Sequence, residues 1–154
     1  TPMDFILGYT LPILVFSLGQ CLICYAAAVL LGLPVTLGIL CATLMILPIS
    51  LLYVALGMLF GSILNDKQVG GVCGALLTNL SAWLSGVWFD LELMGNAFMR
   101  FSQALPFYHA VELERAVLAG HFTEVFPHLL WVLGYAALTL AAAVICFLRQ
   151  MKKQ

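Results

Sequence analysis

Charged side chains are scarce in this sequence, and one long segment has none. Only 8% of the residues are Asp, Glu, Lys or Arg and 64% are hydrophobic, whereas a soluble domain has about 25% charged residues. The segment from Phe5 to Asn65 contains no charged residue, and it is long enough for two membrane crossings of about 20 residues each. A water-soluble domain of this length could not bury so much apolar surface. The composition therefore predicts an integral membrane protein.

Other signals are missing as well. The formal net charge is −1, and no cluster of Lys and Arg forms the basic face that nucleic-acid binding requires. No glycine-rich phosphate loop ending in Lys-Ser or Lys-Thr occurs, so we do not expect the chain to hydrolyse ATP or to be an enzyme. The five cysteines lie in apolar runs, and their odd number does not fit a disulfide framework. We interpret them as buried, reduced thiols.

Four apolar stretches are long enough to cross a membrane, at about residues 5–32, 36–64, 68–89 and 125–148. Backbone groups in lipid must be paired within the segment, so these stretches are predicted to be helices. The fold class is then all-α, a polytopic membrane helical bundle with four transmembrane helices. Pro12 and Pro48 lie inside spans, where we expect them to bend the helix.

The region from Asp90 to Glu124 is apolar enough to suggest a fifth crossing, but its charges argue against one. A helix through it would contain two Arg and two Glu side chains, and each costs about 2.5–3.5 kcal/mol at the centre of a membrane helix. These residues are Arg100, Glu112, Glu114 and Arg115. We therefore expect the region to return to the side from which it started.

A broken, amphipathic hairpin at about 93–122 fits this region. Pro106 cannot continue a helix and disfavours a helical residue before it, so it is expected to separate two short helices. The second helix should end at Gly120, a residue suited to a left-handed C-terminal cap. Such a re-entrant hairpin keeps irregular backbone at membrane depth only where protein or water satisfies it.

The second helix of this hairpin has polar residues at three-residue spacing. His109, Glu112 and Arg115 fall on one face, and we interpret them as an exterior polar stripe with a weak Glu112–Arg115 ion pair. Histidine and carboxylate groups also bind zinc, and the residues available for a metal site are His109, Glu112, Glu114, His121 and His128. No H-E-x-x-H pair is present, so we expect no metal here.

Charge also predicts the orientation. If the hairpin does not cross, Lys67 and the C-terminal charges Arg149, Lys152 and Lys153 lie on one side, as the positive-inside rule prefers. Both termini are then cytoplasmic, and we expect a multi-pass protein of the cell (plasma) membrane.

Few polar residues lie inside the predicted spans. Gln20, Asn79, Ser81 and Ser85 are, by polarity alone, the candidates to line a substrate cavity. No charged residue lies in the middle of a span, which argues against a proton- or sodium-coupled transporter. Two glycine pairs four residues apart, at 57 and 61 and at 70 and 74, have the spacing that lets membrane helices approach closely.

Several short motifs follow one another along nearly the whole chain. They are Thr1-Pro2-Met3 before a span, Gly57-Met58-Leu59-Phe60-Gly61-Ser62 at the end of one, Leu84-Ser85-Gly86-Val87-Trp88-Phe89 closing the third, and Leu105-Pro106-Phe107-Tyr108-His109 followed by Arg115 and Gly120. In order, spacing and topology they resemble the membrane subunit of type-2 ATP-binding-cassette (ABC) exporters, the ABC type 2 transmembrane domain.

The resemblance implies an architecture. Members of that family have six spans, with a cytoplasmic coupling helix between the second and third and a re-entrant hairpin between the fifth and sixth. On this mapping residues 1–154 form a single transmembrane domain that contains spans three to six, the C-terminal part of a permease.

The resemblance also implies a function. We expect the membrane permease subunit of an exporter, which pairs with a second permease half, as a homo- or heterodimer, and with separate ABC ATPase subunits. ATP binds to those subunits, and this chain binds no cofactor. The hairpin with Pro106, His109, Glu112, Arg115 and Gly120 is expected to be the outer gate. The alternatives are an integral-membrane assembly protein that does not transport and an intramembrane metalloprotease.

Overall fold

The computed structural model describes the backbone of residues 2–151 and the side chains of all of these except Pro2, Met3, Phe5 and Met151. Thr1, Lys152 and Lys153, on which parts of the sequence analysis rest, lie outside the described residues. The described chain is helical throughout and contains no strand, which confirms the all-α class.

Two long helices begin the chain. Helix α1 spans Pro2–Leu30 and α2 spans Leu37–Ile63, and both continue through their internal prolines, Pro12 and Pro48. The turn between them contains Gly32 at φ +108°, a backbone conformation that glycine adopts at no steric cost. Both helices agree closely with the predicted spans at 5–32 and 36–64.

The third predicted span is one helical run built of three segments. Helix α3, Asp66–Gly71, begins at a capping box in which the side chains of Asn65 and Gln68 each accept a hydrogen bond from the other's backbone N–H. A π-helical turn follows at Val72–Leu77, and α4 then spans Thr78–Leu84. The run ends five residues before the predicted end at 89.

The hairpin has the predicted break and the predicted cap. A short 3-10 helix at Leu91–Met94 precedes α5, Asn96–Gln103, and α6 spans Pro106–Ala119. Pro106 occupies the first turn of α6, where its missing N–H costs no hydrogen bond. Gly120 caps α6 in the left-handed conformation, at φ +77°.

Helix α7, Phe122–Met151, closes the described chain. It begins three residues before the predicted span at 125–148 and includes Glu124 in its first turn, where a negative charge is favourable. Among the described residues α1, α2 and α7 are the helices that are by themselves long and apolar enough to cross a membrane.

The core lies where α2, α6 and α7 meet. Its buried apolar side chains are Ile49 and Leu52 from α2, Ala110 and Leu113 from α6, and Val132 and Ala136 from α7. Helix α1 packs on α2, and none of its most apolar 18-residue window is buried. Helix α1 is therefore the most peripheral of the long helices.

One close approach between two helices involves a glycine that the sequence motifs did not single out. A Cβ atom added to Gly38, at the start of α2, would lie 3.3 Å from the carbonyl oxygens of Val117 and Leu118 at the end of α6. This contact places the C-terminal end of the hairpin beside the turn between α1 and α2.

The tip of the hairpin lies halfway along α7. The Tyr135 hydroxyl donates a 2.7 Å hydrogen bond to the carbonyl oxygen of Ala104, between α5 and α6. Tyr135 lies 13 positions after Phe122, which corresponds to about 20 Å of helix at about 1.5 Å per residue. The hairpin thus enters the bundle from the end where α7 begins, reverses near the middle of α7 and returns to the same end.

Replacing Leu113 by alanine tests the core. Leu113 has no solvent exposure, and removing a fully buried leucine side chain typically costs about 2–5 kcal/mol. We expect Leu113→Ala to lower the unfolding temperature of the purified protein markedly in detergent or nanodiscs. Leu118→Ala on the same helix, where the side chain is 41% exposed, is the matched control. Equal effects of the two substitutions would show that the core does not lie at Leu113.

Candidate functional site

Two cavities flank α2 and share two of its residues, Tyr53 and Gly57. The larger one, which we call the α1–α2–α7 cavity, has a volume of about 750 Å³ and extends along the half of α2 that ends at Ile63. It is mainly apolar, with Tyr9, Ser17 and Ser50 among its few polar groups. Its volume falls within the roughly 300–1,000 Å³ of small-molecule sites.

The smaller cavity lies between α2 and the helical run from Val72 to Leu84, with Val111 of α6 at its edge. We call it the serine cavity, because buried Ser81 and Ser85 line it. Its volume is about 460 Å³, and its other polar lining residues are Tyr53, Cys73 and Thr78. None of the residues that line either cavity carries a charge.

The serine and threonine hydroxyl groups that line the serine cavity donate hydrogen bonds to backbone carbonyls. Ser81 donates a 2.6 Å hydrogen bond to the carbonyl of Leu77, and Ser85 donates one of 3.3 Å to the carbonyl of Ala82. Thr78 donates to the carbonyl of Cys73, across the π-helical turn. With their protons engaged in this way, the hydroxyl oxygens retain lone pairs that can accept hydrogen bonds.

A pair of histidines joins the hairpin to α7. The Nδ1 atoms of His109 on α6 and His128 on α7 are 2.8 Å apart, and Nε2 of His109 is 2.9 Å from the carbonyl oxygen of Gln103. A carbonyl oxygen only accepts, so the neutral His109 carries its proton on Nε2, and Nδ1 accepts from the Nδ1–H of His128. The His109 ring also stacks on Trp131, with centroids 4.7 Å apart.

Arg115 joins the hairpin to the end of α4. Its Nη2 donates a 3.0 Å hydrogen bond to the carbonyl oxygen of Gly86, and its Nη1 forms a 2.8 Å ion pair with Glu112. Gly86 has φ +71° and is buried, and a Cβ there would lie 3.1 Å from the Leu91 side chain. The Arg115 side chain therefore holds the turn that follows α4 against α6.

Glu114 contacts α1 and not the other polar groups of its own helix. The Tyr25 hydroxyl of α1 donates a 3.5 Å hydrogen bond to Oε2 of Glu114, and Oε1 is buried without a partner. Burial raises the pKa of Glu114 to about 7 from its ordinary value of 4.5, and the hydrogen bond from Tyr25 opposes part of this rise. Sequence spacing gave no sign of this contact, because it joins helices 89 residues apart.

Comparison with known protein families shows to which family this chain belongs. The sequence model described as "ABC-2 type transporter" matches residues 1–119, from the start of α1 to the end of α6. The chain belongs to the ABC-2 type transporter family. No curated protein and no solved structure matches the chain.

The family membership confirms the resemblance to an ABC type 2 permease domain and identifies the chain as a membrane component of an ABC transporter. Such components generally work in a membrane with an ABC ATPase subunit. Helix α7 lies beyond the matched residues, although it packs on α2 and α6.

The four polar residues predicted to line a cavity of this permease divide into two pairs. Ser81 and Ser85 line the serine cavity. Gln20 and Asn79 are exposed and line neither cavity, and Asn79 bonds back to the carbonyl of Ala75. Polarity alone does not predict which face of a helix is buried, and Asn79 lies about 200° around the axis from Ser81.

The glycine pairs make no close helix contact within the described permease. A Cβ at Gly57, Gly61, Gly70 or Gly74 would meet no atom within 4 Å. Gly57 and Gly61 instead line the α1–α2–α7 cavity, and Gly70 and Gly74 are exposed. Helix packing through these glycines stays a prediction.

The interpretation of the α6 polar residues as an exterior stripe is wrong for His109. That side chain is buried between α5, α6 and α7, whereas Glu112 is half-buried and Arg115 is exposed. His128, 19 residues further along the chain, is the hydrogen-bond partner of the buried His109 ring. No third His, Cys, Asp or Glu joins the pair to form a metal site in the described part of the permease.

The cysteine interpretation also needs correction. All five thiols are free, but none is fully buried, and Cys24 is exposed on α1. An apolar run fits a helix face that contacts lipid as well as one that is buried in protein. The sequence does not show on which of these faces each cysteine lies.

The histidine pair predicts a pH dependence of stability. Burial lowers the pKa of His109 below its ordinary value of 6.5, and the bond to the Gln103 carbonyl opposes part of this shift. A lowered pKa stabilises the fold fully above pH 6.5, and this contribution is lost as pH falls through the shifted value. His109→Phe keeps the stacking on Trp131 and removes the titration. We expect it to destabilise the permease by about 1–2 kcal/mol at pH 7.5 and by less at pH 5.

Unfolding temperatures at pH 7.5 and pH 5 measure this difference. His121→Gln, a change at an exposed histidine just before α7, is the control and should shift both temperatures equally. A His109→Phe effect that is the same at the two pH values would contradict the assignment.

Proposed function

We propose that the chain is the membrane-spanning permease part of an ABC exporter. It moves substrate out of the cytoplasm by alternating access, powered by ATP hydrolysis on a separate ABC ATPase subunit. The family match over residues 1–119 carries this proposal. The uncharged cavities on both sides of the Tyr53 and Gly57 positions support it, because they offer a route along α2.

The proposed topology has four crossings and a re-entrant hairpin. Asp66 follows directly on the end of α2, and Gly86 contacts Arg115 on α6, whose last turn lies beside Gly38 at the start of α2. In this topology the helical run from Asp66 to Leu84 is the crossing that returns from the end of α2, and its first part contacts α2 while α4 contacts α6. An uninterrupted helix of this length would measure about 28 Å, close to the thickness of the hydrocarbon core.

Charge gives the proposed orientation. Lys67 and Arg149 lie at one end of the spans, and the acidic residues Asp90, Glu92 and Glu124 lie at the other. The positive-inside rule then assigns the hairpin to the outer face and both termini to the cytoplasm of a cell (plasma) membrane.

In this proposal the α5–α6 hairpin is the outer gate. Pro106 forms its reversal, Gly120 ends it, His109 fixes it to α7, and Arg115 with Glu112 fixes the turn after α4 to it. Outward opening requires these contacts to rearrange while ATP closes the ATPase pair, because a ligand shifts a conformational equilibrium only through differential binding.

A second permease half, from an identical or a related chain, completes the proposed pathway. Ser81 and Ser85 line the pathway within one permease half. Gln20 and Asn79 are exposed in the single chain, and they contribute to the pathway only if the second half covers them.

The topology is tested by thiol labelling in intact cells. In a background without native cysteines, we expect Glu92→Cys and Glu124→Cys to react with a membrane-impermeant maleimide from outside. Lys67→Cys should react only after the membrane is permeabilised, because it lies at the opposite end of the helices. Labelling of all three positions from the same side would contradict the four-crossing topology.

Alternating access is tested in the complex with its ABC ATPase, reconstituted in nanodiscs. Trapping the ATPase with ATP and vanadate should change the maleimide reactivity of Ser81→Cys several-fold, because the serine cavity opens or closes. Leu44→Cys, at an exposed position on α2 outside both cavities, is the matched control and should not change.

A non-transporting assembly protein gives a different result. It would bind the ATPase, but the reactivity of Ser81→Cys would stay the same with and without trapped ATP. That outcome would replace the exporter proposal with the assembly alternative.

A further inference from the structure

Glu114 forms a direct contact between the α5–α6 hairpin and α1. Its Oε2 accepts the hydrogen bond from Tyr25, and the Cys21 thiol, one helical turn earlier on α1, is near enough for an electrostatic interaction with the same carboxyl group. Thr43 of α2 contacts Cys21 and completes the surroundings. One carboxyl group therefore touches the peripheral helix from the hairpin side.

Among the residues that the structure describes, none places a compensating positive charge beside Glu114. Helix α1 contributes Tyr25 and Cys21, with Cys24 next to Cys21. Helix α2 has no Asp, Glu, Lys, Arg or His, and its titratable residues are Cys41 and Tyr53.

The charged groups nearest in sequence are engaged elsewhere. On α6 itself, Arg115 is paired with Glu112 and with the carbonyl of Gly86, and His109 is paired with His128 of α7. Helix α4 carries no charged residue.

This geometry favours the neutral carboxyl group. Oε1 is buried and accepts no hydrogen bond, and a carboxylate charge without partners is far more costly to bury than a neutral acid. Glu114 is half-buried, and if its carboxyl group ionises, the buried Oε1 gains water when Glu114 and α1 separate. Helix α1 can move in this way because its apolar face is not buried in the bundle.

We propose that Glu114 is a proton-binding site that holds α1 against the hairpin: the neutral acid keeps Tyr25, Cys21 and Glu114 packed together, and loss of the proton separates them. This inference rests on the proposed function in one respect only, which is the face of the membrane that supplies the proton. The packing itself is a property of the chain.

The direction of the pH effect follows from linkage. Because the packed state raises the pKa of Glu114 from 4.5 to about 7, packing is fully favoured below pH 4.5 and loses this contribution as pH rises through 7. We expect the ratio of packed to separated molecules to fall roughly 10- to 100-fold between pH 5 and pH 8. The histidine pair has the opposite sign, since it is weakened by acid.

Distance measurement by electron spin resonance tests the proposal on the full chain in nanodiscs, with the same pH on both sides. Spin labels are attached to ketone-bearing amino acids encoded at Ile23 on α1 and Phe101 on α5, both exposed, which leaves all cysteines in place. The distance distribution should contain a second, longer component that grows from pH 5 to pH 8. No ATP or ATPase is present, so the result does not depend on transport.

Two variants and one control decide the outcome. Glu114→Gln and Glu114→Leu cannot ionise, and each should keep the shorter distance at every pH. Glu92→Gln, a change at an exposed carboxylate before α5, should show the same pH dependence as the spin-labelled chain that keeps Glu114. The proposal is overturned if the unmodified chain shows no pH-dependent component, or if either Glu114 variant that folds retains the same dependence.

Discussion

The reversal of the hairpin halfway along α7 depends on hydrogen-bond partners for the backbone carbonyls between α5 and α6. Leaving a buried carbonyl unpaired is costly. The backbone N–H groups of Ala104 and Leu105 bond to the carbonyls of Arg100, Phe101 and Ser102 at the end of α5, and the next two carbonyls along the chain are those of Gln103 and Ala104. Side chains supply what is missing: His109 donates to Gln103, and Tyr135 donates to Ala104. Pro106 has no N–H that would need a partner. The position of α6, and through it the cavity beside Val111, follows from these two hydrogen bonds.

Helix α2 is the element that the other helices share. It contacts α1, α6 and α7, and it contributes residues both to the core and to the lining of the two cavities. It has no charged side chain along its length, so its position is determined by packing. The polar contacts of the permease join the hairpin to α1, α4 and α7 instead. A rigid apolar centre surrounded by polar contacts at the periphery fits a protein whose outer elements have to move.

The sequence predicted the elements of this fold better than their faces. Apolar length located the three long helices α1, α2 and α7, and Pro106 and Gly120 located the break and the cap, because each of these signals is read within one stretch of the sequence. The burial of His109, the exposure of Asn79 and the contact between Glu114 and Tyr25 were not predictable. They depend on which helices pack together, and in lipid both the buried and the exposed faces of a helix are apolar. Gly38 shows the same limit, since its neighbours on α6 lie about 80 residues away in the sequence.

The π-helical turn at Val72–Leu77 has a geometric effect on everything that follows it in the run. Such a turn closes hydrogen bonds over five residues where an α-helix closes them over four, so it contains one residue more per turn. Each residue of an α-helix rotates the side-chain direction by roughly 100°. Ser81 and Ser85 therefore point about a quarter of a circle away from the direction that an unbroken helix starting at Asn65 would give them. One additional residue in this helical run therefore turns Ser81 and Ser85 into the lining of the serine cavity.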